Sequence, residues 1–363
     1  MVTKLATKAQ RHEDAQRLSE TLSLRVLVAK KNKMKKILQY LFEYKTLSRA
    51  QAKEVLTNIS KAAYNEYEIT AFVTVYLMRS ITIDEMQGFR DALLELCTKV
   101  DLNGYETIDI VGTGGDGKNT FNISTLSCFI VAGTGQKVAK HGNYGMTSTS
   151  GASNVMEQLG YKLKNDMSAL KREAEIANIC FLHAPLFHPA MKTVAPIRKS
   201  LGIRTFFNML GPMINPADPD YQLVGVYNLE MARIYNYLLQ QTGKLFTIIH
   251  SLDGYDEISL TDDIKVITNA GEKVLTPEQV GKRMVQAQDI FGGNTVEEAA
   301  KIFLKIIKGD GTWSQNAVVF ANAAMALQCT GKYASYDDAY AAAVESLESG
   351  KANECLQKLV SMQ

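Results

Sequence analysis

Apolar residues recur three and four positions apart in "MKKILQYLFEY", at Ile37, Leu38, Leu41 and Phe42, the period of a helix with one buried face. "LSRAQAKEVLTNIS" follows, with Ser48 placed as an N-cap. "NEYEITAFVTVYLMRS" and "TIDEMQGFRDALLELC" continue the pattern. The second begins at Thr82 and carries Asp84 and Glu85 in its first turn, where the helix dipole favours negative charge. Residues 34–104 therefore read as a small all-helical domain. At Asn103-Gly104 the texture changes. Short apolar runs ("TIDIV", "KVAK", "ICFLHA", "QLVGVY", "LFTIIH", "IKVITN") now alternate with helical stretches such as "ISTLSCFIVAGTG", "GASNVMEQLG" and "LEMARIYNYLLQQTG". That alternation predicts an α/β domain over 105–363, with a central, mostly parallel sheet surrounded by helices. The Ala-rich tail, "NAVVFANAAMALQCTG" and "YDDAYAAAVESLESGKANECLQKLV", is helical and punctuated by glycines. The proline-rich stretch at about 190–220 reads as a crossover that contributes to the helical domain.

Composition narrows the class. The 363 residues are 46% apolar and 21% charged, with a net charge of +2, so no whole-protein basic field points to nucleic acid. Five scattered cysteines without Cys-x-x-Cys spacing suit reduced thiols in a cytoplasmic protein rather than a disulfide or zinc framework. No run of about 18 apolar residues exists, so no membrane span is expected. Residues 1–33 form a basic extension, or lie upstream of a start at Met34. They lack the interleaved aromatics that single-strand binders use.

The candidate chemistry begins at "DIVGTGGDGKNT", residues 109–120. A strand runs into a glycine-rich turn one letter from a Walker A loop. Asn119 stands where a magnesium-binding hydroxyl would be required, and Asp116 inside the cradle would repel a triphosphate. A carboxylate there suits ribose hydroxyls instead. The glycines let backbone N–H groups approach a phosphate, and "NIST", with Asn122, Ser124 and Thr125, opens a helix whose N-terminus favours an anion. A second strand end, "KVAKHGNYGMTSTSG", offers Lys140, His141, a turn at Gly142-Asn143 and hydroxyls from Thr147 to Ser150. Ligands in open α/β sheets bind at the carboxyl ends of strands, so two such ends suggest one ligand with two phosphate clusters. After a third strand, "HSLDGYDEISLT" places Asp256 and Glu257 side by side. These are read as magnesium ligands together with Ser124. A fourth stretch, "FLHAPLFHPAMKTVAPIRKSLGIRTFFNMLGPMINPA", holds His183, His188, Arg198 and Arg204. Composition alone leaves each arginine open between carboxylate recognition and an ordinary salt bridge.

Together, "VGTGGDG", "NIST", "AKHGN", "HPAMKTVAPIRKSLGIRTFFNMLGP" and "DGYDEISLT" resemble the anthranilate phosphoribosyltransferase family, from about Met34 to the end of the chain. The resemblance implies a helical domain and an α/β domain with the active site in the cleft between them, and a homodimer joined through the helical domains. It implies that Gly112, Gly114, Gly115, Asp116 and Thr120 line the phosphoribosyl pyrophosphate site. Asn122, Ser124, Thr125 and Lys140 would hold the pyrophosphate, with Thr147 and Ser148 beside them. Magnesium would bind Ser124, Asp256 and Glu257. Anthranilate would meet Gly112, His141, Asn143, Ala184, Pro185, His188, Arg198 and Gly211, with Arg198 at its carboxylate. No residue is required as a strong general base. The chain departs from the family's pattern at Tyr144, where many relatives have Arg, at Ala152, where Ser is frequent, and at Met191, where some have an aromatic residue. Two rival readings are a pyrimidine nucleoside phosphorylase, which has a different loop ahead of its glycines, and a non-catalytic nucleic-acid-binding paralogue. The GTGGD form and the intact Asn143, Arg198, Asp256 and Glu257 weigh against both.

Overall fold

The structure, a computed structural model, describes residues 33–145 and 148–363. The basic extension up to residue 32, and Thr147, lie outside the described residues. Helices come first: α1 (residues 33–42), α2 (Arg49–Ser60), α3 (Glu66–Met78) and α4 (Ile83–Leu96). Then β1 (Thr107–Gly112), α5 (Ile123–Gly133), β2 (Lys137–Gly142), α6 (Ala152–Gln158), α7 (Met167–Ala177) and β3 (Ile179–His183) alternate. Two short helices follow, α8 (Ala184–Phe187) and α9 (Ala195–Leu201). The sheet resumes with β4 (Tyr221–Gly225), α10 (Leu229–Leu239), β5 (Leu245–Ser251), β6 (Ile264–Thr268) and β7 (Gly271–Leu275). The chain ends in helices α11 (Pro277–Gly281), α12 (Val296–Ile307), α13 (Trp313–Cys329), α14 (Tyr336–Glu348) and α15 (Lys351–Ser361). The described residues form two units. The first is 33–89 with Ala190–Phe206, and the second is Arg90–Pro189 with Phe207–Gln363.

In the second unit the strand order is β3-β2-β1-β4-β5-β6-β7. The pairs from β3 to β5 are parallel, whereas β6 and β7 are antiparallel. The chain leaves β1 toward β2 and β3, then crosses to β4 on the other side of β1. The connections therefore diverge between β1 and β4, which opens a crevice at the carboxyl ends of those strands. Helix α5 is buried almost all round, from Ile123 to Ala132, as a helix packed on several sides must be. It lies among α13, α14 and α15. Elements that go beyond the pattern reading include α7, the short helices α9 and α11, α12 and the edge strand β7. The last is mostly exposed and lacks an apolar alternation to betray it. All five cysteines are free thiols. Among the described residues no helix is long and apolar enough to cross a membrane.

The first unit is helical throughout. Ser48 and Asn65 cap α2 and α3 in capping boxes closed by Gln51 and Glu68. Phe72, Tyr76, Phe89 and Phe206 form an aromatic nucleus, with Phe89 stacked on Phe206 at 4.6 Å and Phe72 edge-on to Phe89 at 6.0 Å. Beside it, Glu85 is buried and accepts from the backbone amides of Leu47 (2.9 Å) and Thr82 (3.0 Å), from the Tyr76 hydroxyl (3.2 Å) and from both Arg79 terminal nitrogens. Burial alone would raise this carboxyl. The Arg79 pairing and the two amides outweigh burial and hold it below its ordinary value. Glu85→Ala leaves Arg79 and two amides without their acceptor and is expected to cost about 3–5 kcal/mol of stability. Because the folded carboxyl is lowered, its contribution is present above the unfolded value of about 4.3 and fades as the pH falls through the lower folded value. Denaturant midpoints of wild type and Glu85→Gln should accordingly differ most near neutrality and converge in acid. A constant gap across pH would contradict this.

Candidate active site

The site begins with a close approach. The loop after β5 carries Asp256 across the carboxyl ends of β1 and β4. A Cβ on Gly112 would lie 2.4 Å from Asp256 Oδ2, and one on Gly225 would lie 1.5 Å from the Asp256 carbonyl oxygen. Only glycine fits at either strand tip. The Gly114 amide donates to Asp256 Oδ2 at 2.6 Å, and Thr113 N donates to the Gly225 carbonyl at 2.9 Å. Gly114, Gly115 and Gly117 all have positive φ, so this turn curls as side-chain-bearing residues rarely can. The loop is anchored from below by Asn322, a buried amide on α13. It accepts from Ile258 N (3.0 Å) and donates to the Ile258 carbonyl (2.8 Å).

Glu257 reaches the other way. Its Oε1 accepts from Ser124 N at 2.9 Å in the first turn of α5, and its Oε2 accepts from Thr120 Oγ1 at 3.3 Å. The helix N-terminus expected to face a phosphate thus already donates one N–H to Glu257. The side chain of Asn122 is likewise engaged, donating to the Ser150 carbonyl at 2.9 Å, and Thr125 is buried. Asp116 lies beside Asp256 and accepts from Lys118 N at 3.0 Å. Lys118 folds over the Tyr255 ring, 4.4 Å from its centroid, and so ties the glycine turn to the carboxylate loop.

Three acids are therefore gathered together, Asp256 buried and Asp116 and Glu257 half-buried. Asp256 is pushed well above the usual carboxylate range by burial, and further by the charges of Asp116 and Glu257. Burial, opposed by the Ser124 amide, pushes Glu257 up to about 7. Asp116 is raised by burial too. Among the described residues no three His, Cys, Asp or Glu side chains form a self-sufficient metal cage. Two hard carboxylates with a hydroxyl nearby are nevertheless the donor set of a cation that keeps its waters and takes its remaining oxygens from a phosphate. The residues present thus fit magnesium.

The tip of β2 has a different character. Lys140 is buried, and its ammonium donates to the Ile110 carbonyl at 2.6 Å. His141 is buried as well and pairs through Nδ1 with the Gly211 carbonyl at 3.2 Å. A carbonyl can only accept, so Nδ1 carries the proton and Nε2 is left as an acceptor. Burial, then the neighbouring His188, holds His141 well below its ordinary value. The two imidazole centroids are 5.4 Å apart, and burial lowers His188 to about 4. Ala184 and Pro185 begin α8 at the end of β3. Asn143 is exposed, and its Oδ1 accepts from Tyr144 N at 2.8 Å. Tyr144, the departure from the family's arginine, sets its ring edge-on to His183 at 4.8 Å. Ser148 is half-buried in the turn before α6.

The second unit thus brings together Gly112, Asp116, Thr120, Ser124, Asp256 and Glu257, and separately His141, His188 and Gly211. Arg198 lies on α9 in the first unit, where burial lowers its guanidinium. Four further residues, Asp109, Asn215, Gly225 and Asn322, belong to this architecture without having been picked out from the sequence. A buried acid inside an apolar strand and a lone Asn in an Ala-rich helix were the available signals.

Comparison with known proteins agrees with this arrangement. Residues 35–97 match the helical bundle domain of the glycosyl transferase family, and residues 104–353 match its a/b domain. Anthranilate phosphoribosyltransferase from Flavobacterium johnsoniae is 59% identical over 90% of this chain and 98% of its own length. The Bacteroides fragilis enzyme of the same name is 54% identical over 91% of this chain and 99% of its own. Among solved structures, the Thermus thermophilus enzyme superposes with a TM-score of 0.84 at 31% identity, covering 90% of this chain and 98% of that one. The Saccharomyces cerevisiae enzyme in complex with PRPP and Mg gives 0.84 at 26% identity, over 91% and 98%. Fold, glycine turn, carboxylate loop and relatives converge, and the chain belongs to the anthranilate phosphoribosyltransferase family.

Proposed function

We propose that the chain transfers the phosphoribosyl group of phosphoribosyl pyrophosphate to the amine of anthranilate and releases pyrophosphate, in tryptophan biosynthesis. The observation that carries this reading is the Asp256 carboxylate seated against Gly112 at the diverging ends of β1 and β4, with Glu257 on the first turn of α5. The names of the relatives supply the substrates. The glycine turn presents backbone N–H groups to phosphate, and Asp116 is placed to accept from ribose hydroxyls. Thr120, Asn122, Ser124, Thr125, Lys140 and Ser148 are proposed to surround the pyrophosphate. Asp256, Glu257 and Ser124 would hold magnesium, which when bound supplies positive charge to the leaving pyrophosphate oxygens.

In the reaction the nitrogen lone pair of anthranilate forms a bond to ribose C1 as the C1–oxygen bond to pyrophosphate breaks. The ribose gains oxocarbenium character on the way. Lys140 and the N–H groups of the turn oppose the negative charge that collects on the leaving group. A neutral arylamine is a sufficient nucleophile, so no strong base is needed. His141, neutral with Nε2 as acceptor, is suited to orient the amine and to take its proton after C–N bond formation. His188, Ala184, Pro185, Gly211 and Asn143 are proposed to shape the acceptor site. Arg198 offers a planar guanidinium to the anthranilate carboxylate.

Anthranilate fluorescence tests the reading directly. Wild type should consume it only when phosphoribosyl pyrophosphate and magnesium are both present. Asp256→Ala should lose about 10²-fold or more in kcat/KM. Arg198→Ala should raise the KM for anthranilate at least about tenfold while sparing that for the other substrate. A wild-type chain that consumes no anthranilate overturns the proposal.

We also propose a cytoplasmic homodimer joined through the helical unit. The free cysteines suit a reducing compartment. Phe42, Tyr44, Tyr67 and Met78 on and beside α1 and α3 are exposed, large apolar side chains of the helical unit that a partner subunit would cover. Light scattering should report twice the chain mass for wild type. Met78→Lys with Tyr67→Glu should shift it toward the single chain, and a monomeric wild type would refute the arrangement.

A further inference from the structure

The register between β1 and β2 covers only Thr107↔Lys137 and Ile108↔Val138, although β1 pairs with β4, and β2 with β3, over five residue pairs each. Past Val138, side chains bridge the two strands. The carboxylate of Asp109, fully buried on β1, accepts from His141 N at 3.2 Å through Oδ1 and from Asn215 Nδ2 at 2.9 Å through Oδ2. The same Asn215 nitrogen donates to the Ala139 carbonyl at 2.8 Å, and Asn215 Oδ1 is fixed by Ala217 N at 2.9 Å. The Lys140 ammonium reaches back to the Ile110 carbonyl. Three successive β2 residues, Ala139, Lys140 and His141, are thus tied to β1 by polar side chains where a main-chain ladder would ordinarily do the work.

We propose that Asp109, braced by Asn215, is a positioning residue for the transfer reaction. It fixes the Lys140–His141 tip of β2 and supplies the charge that keeps the Lys140 ammonium at the strand end. This rests on the reading of Lys140 as a pyrophosphate-side cation. A plain structural account would put an apolar residue here, because an acid buried in a central strand is costly. Burial indeed raises Asp109 to about 6, against the pull of Lys140, the Asn215 amide and the His141 amide. Those partners are specific to the carboxylate. Asp109→Asn keeps the shape but removes the charge and sets an NH₂ group against another donor. Lys140 then loses its counter-charge on that side, while Glu257 still attracts it electrostatically.

The test is a double-mutant cycle read by steady-state kinetics with saturating magnesium. Asp109→Asn should raise the KM for phosphoribosyl pyrophosphate about 10- to 100-fold and change the KM for anthranilate, whose amine His141 orients, by a smaller factor. In a Lys140→Met background the same substitution should change neither constant further. Equal effects in both backgrounds, or KM values for both substrates that move together with lost thermal stability, overturn the proposal. If Asp109→Asn does not fold, Asn215→Ala decides. It should raise the same KM selectively, and unchanged kinetics overturn the role. An inactive wild type refutes both this inference and the reading beneath it, whereas an active wild type with an unaffected Asp109→Asn refutes this one alone.

Discussion

The architecture of the second unit is organised around the burial of carboxylates at the tips of parallel strands. Asp116, Asp256 and Glu257 repel one another, and the burial of Asp256 leaves little solvent there to screen the repulsion. Withdrawing charges from water costs several kcal/mol each unless partners compensate. The compensation here is local and polar: the Gly114 amide for Asp256, the Ser124 amide for Glu257, the Lys118 amide for Asp116. None of these cancels a full charge. The carboxylate cluster by itself therefore carries an unfavourable term that a divalent cation or a cationic donor can relieve, which is the arrangement expected of a site shaped for binding rather than for stability.

That requirement accounts for the placement of particular residues. The carboxylate loop must cross the ends of β1 and β4 at contact distance, so both strands finish in glycine. It must also not recoil from its own charge, and Asn322 holds its backbone by both an N–H and a C=O at Ile258. An amide serves here because it donates and accepts at once without adding charge. The long apolar α13 supplies a rigid base for it. Exposed strand β7, by contrast, touches none of this, and its sequence is correspondingly bland.

Much of this was legible in the sequence because it rests on local rules. The helix period of α1 to α4, the Ser48 cap, the glycine turn and the Asp256-Glu257 pair are all short-range patterns. Helix α12 carries a clear amphipathic spacing as well, with Ala299, Ala300, Phe303, Ile306 and Ile307 on its buried face. What sequence reasoning could not supply was long-range. The partner of Gly225 is 31 positions away in sequence, that of Asp109 is more than 100 in the case of Asn215, and the antiparallel turn of β6 depends on which edge the chain reaches. The engagement of Ser124 N by Glu257 is of the same kind. A helix N-terminus announces an affinity for anions, but not whether the anion is a ligand or the chain's own carboxylate.

The sheet edge is also divided electrostatically. At the tips of β1, β4 and β5 the groups are acidic and hard, suited to cations and to the hydroxyls and phosphates that accompany them. At the tips of β2 and β3 they are imidazoles kept neutral by burial, His141 fixed in one tautomer by the Gly211 carbonyl and His188 set against it. In the proposed reaction a charged imidazole in that place would draw the diphosphate toward the acceptor's position and would donate a hydrogen bond to the arylamine nitrogen, tying up its lone pair, rather than accept from it. Burial prevents both. Lys140, on β2 but reaching across to the Ile110 carbonyl of β1, places a cation at the seam between the two halves, and in the proposed reaction it is this group that draws the leaving charge. A polar brace across a gap in the ladder fixes such a group more sharply than a continuous main-chain ladder would, because each bond specifies one atom on one side chain.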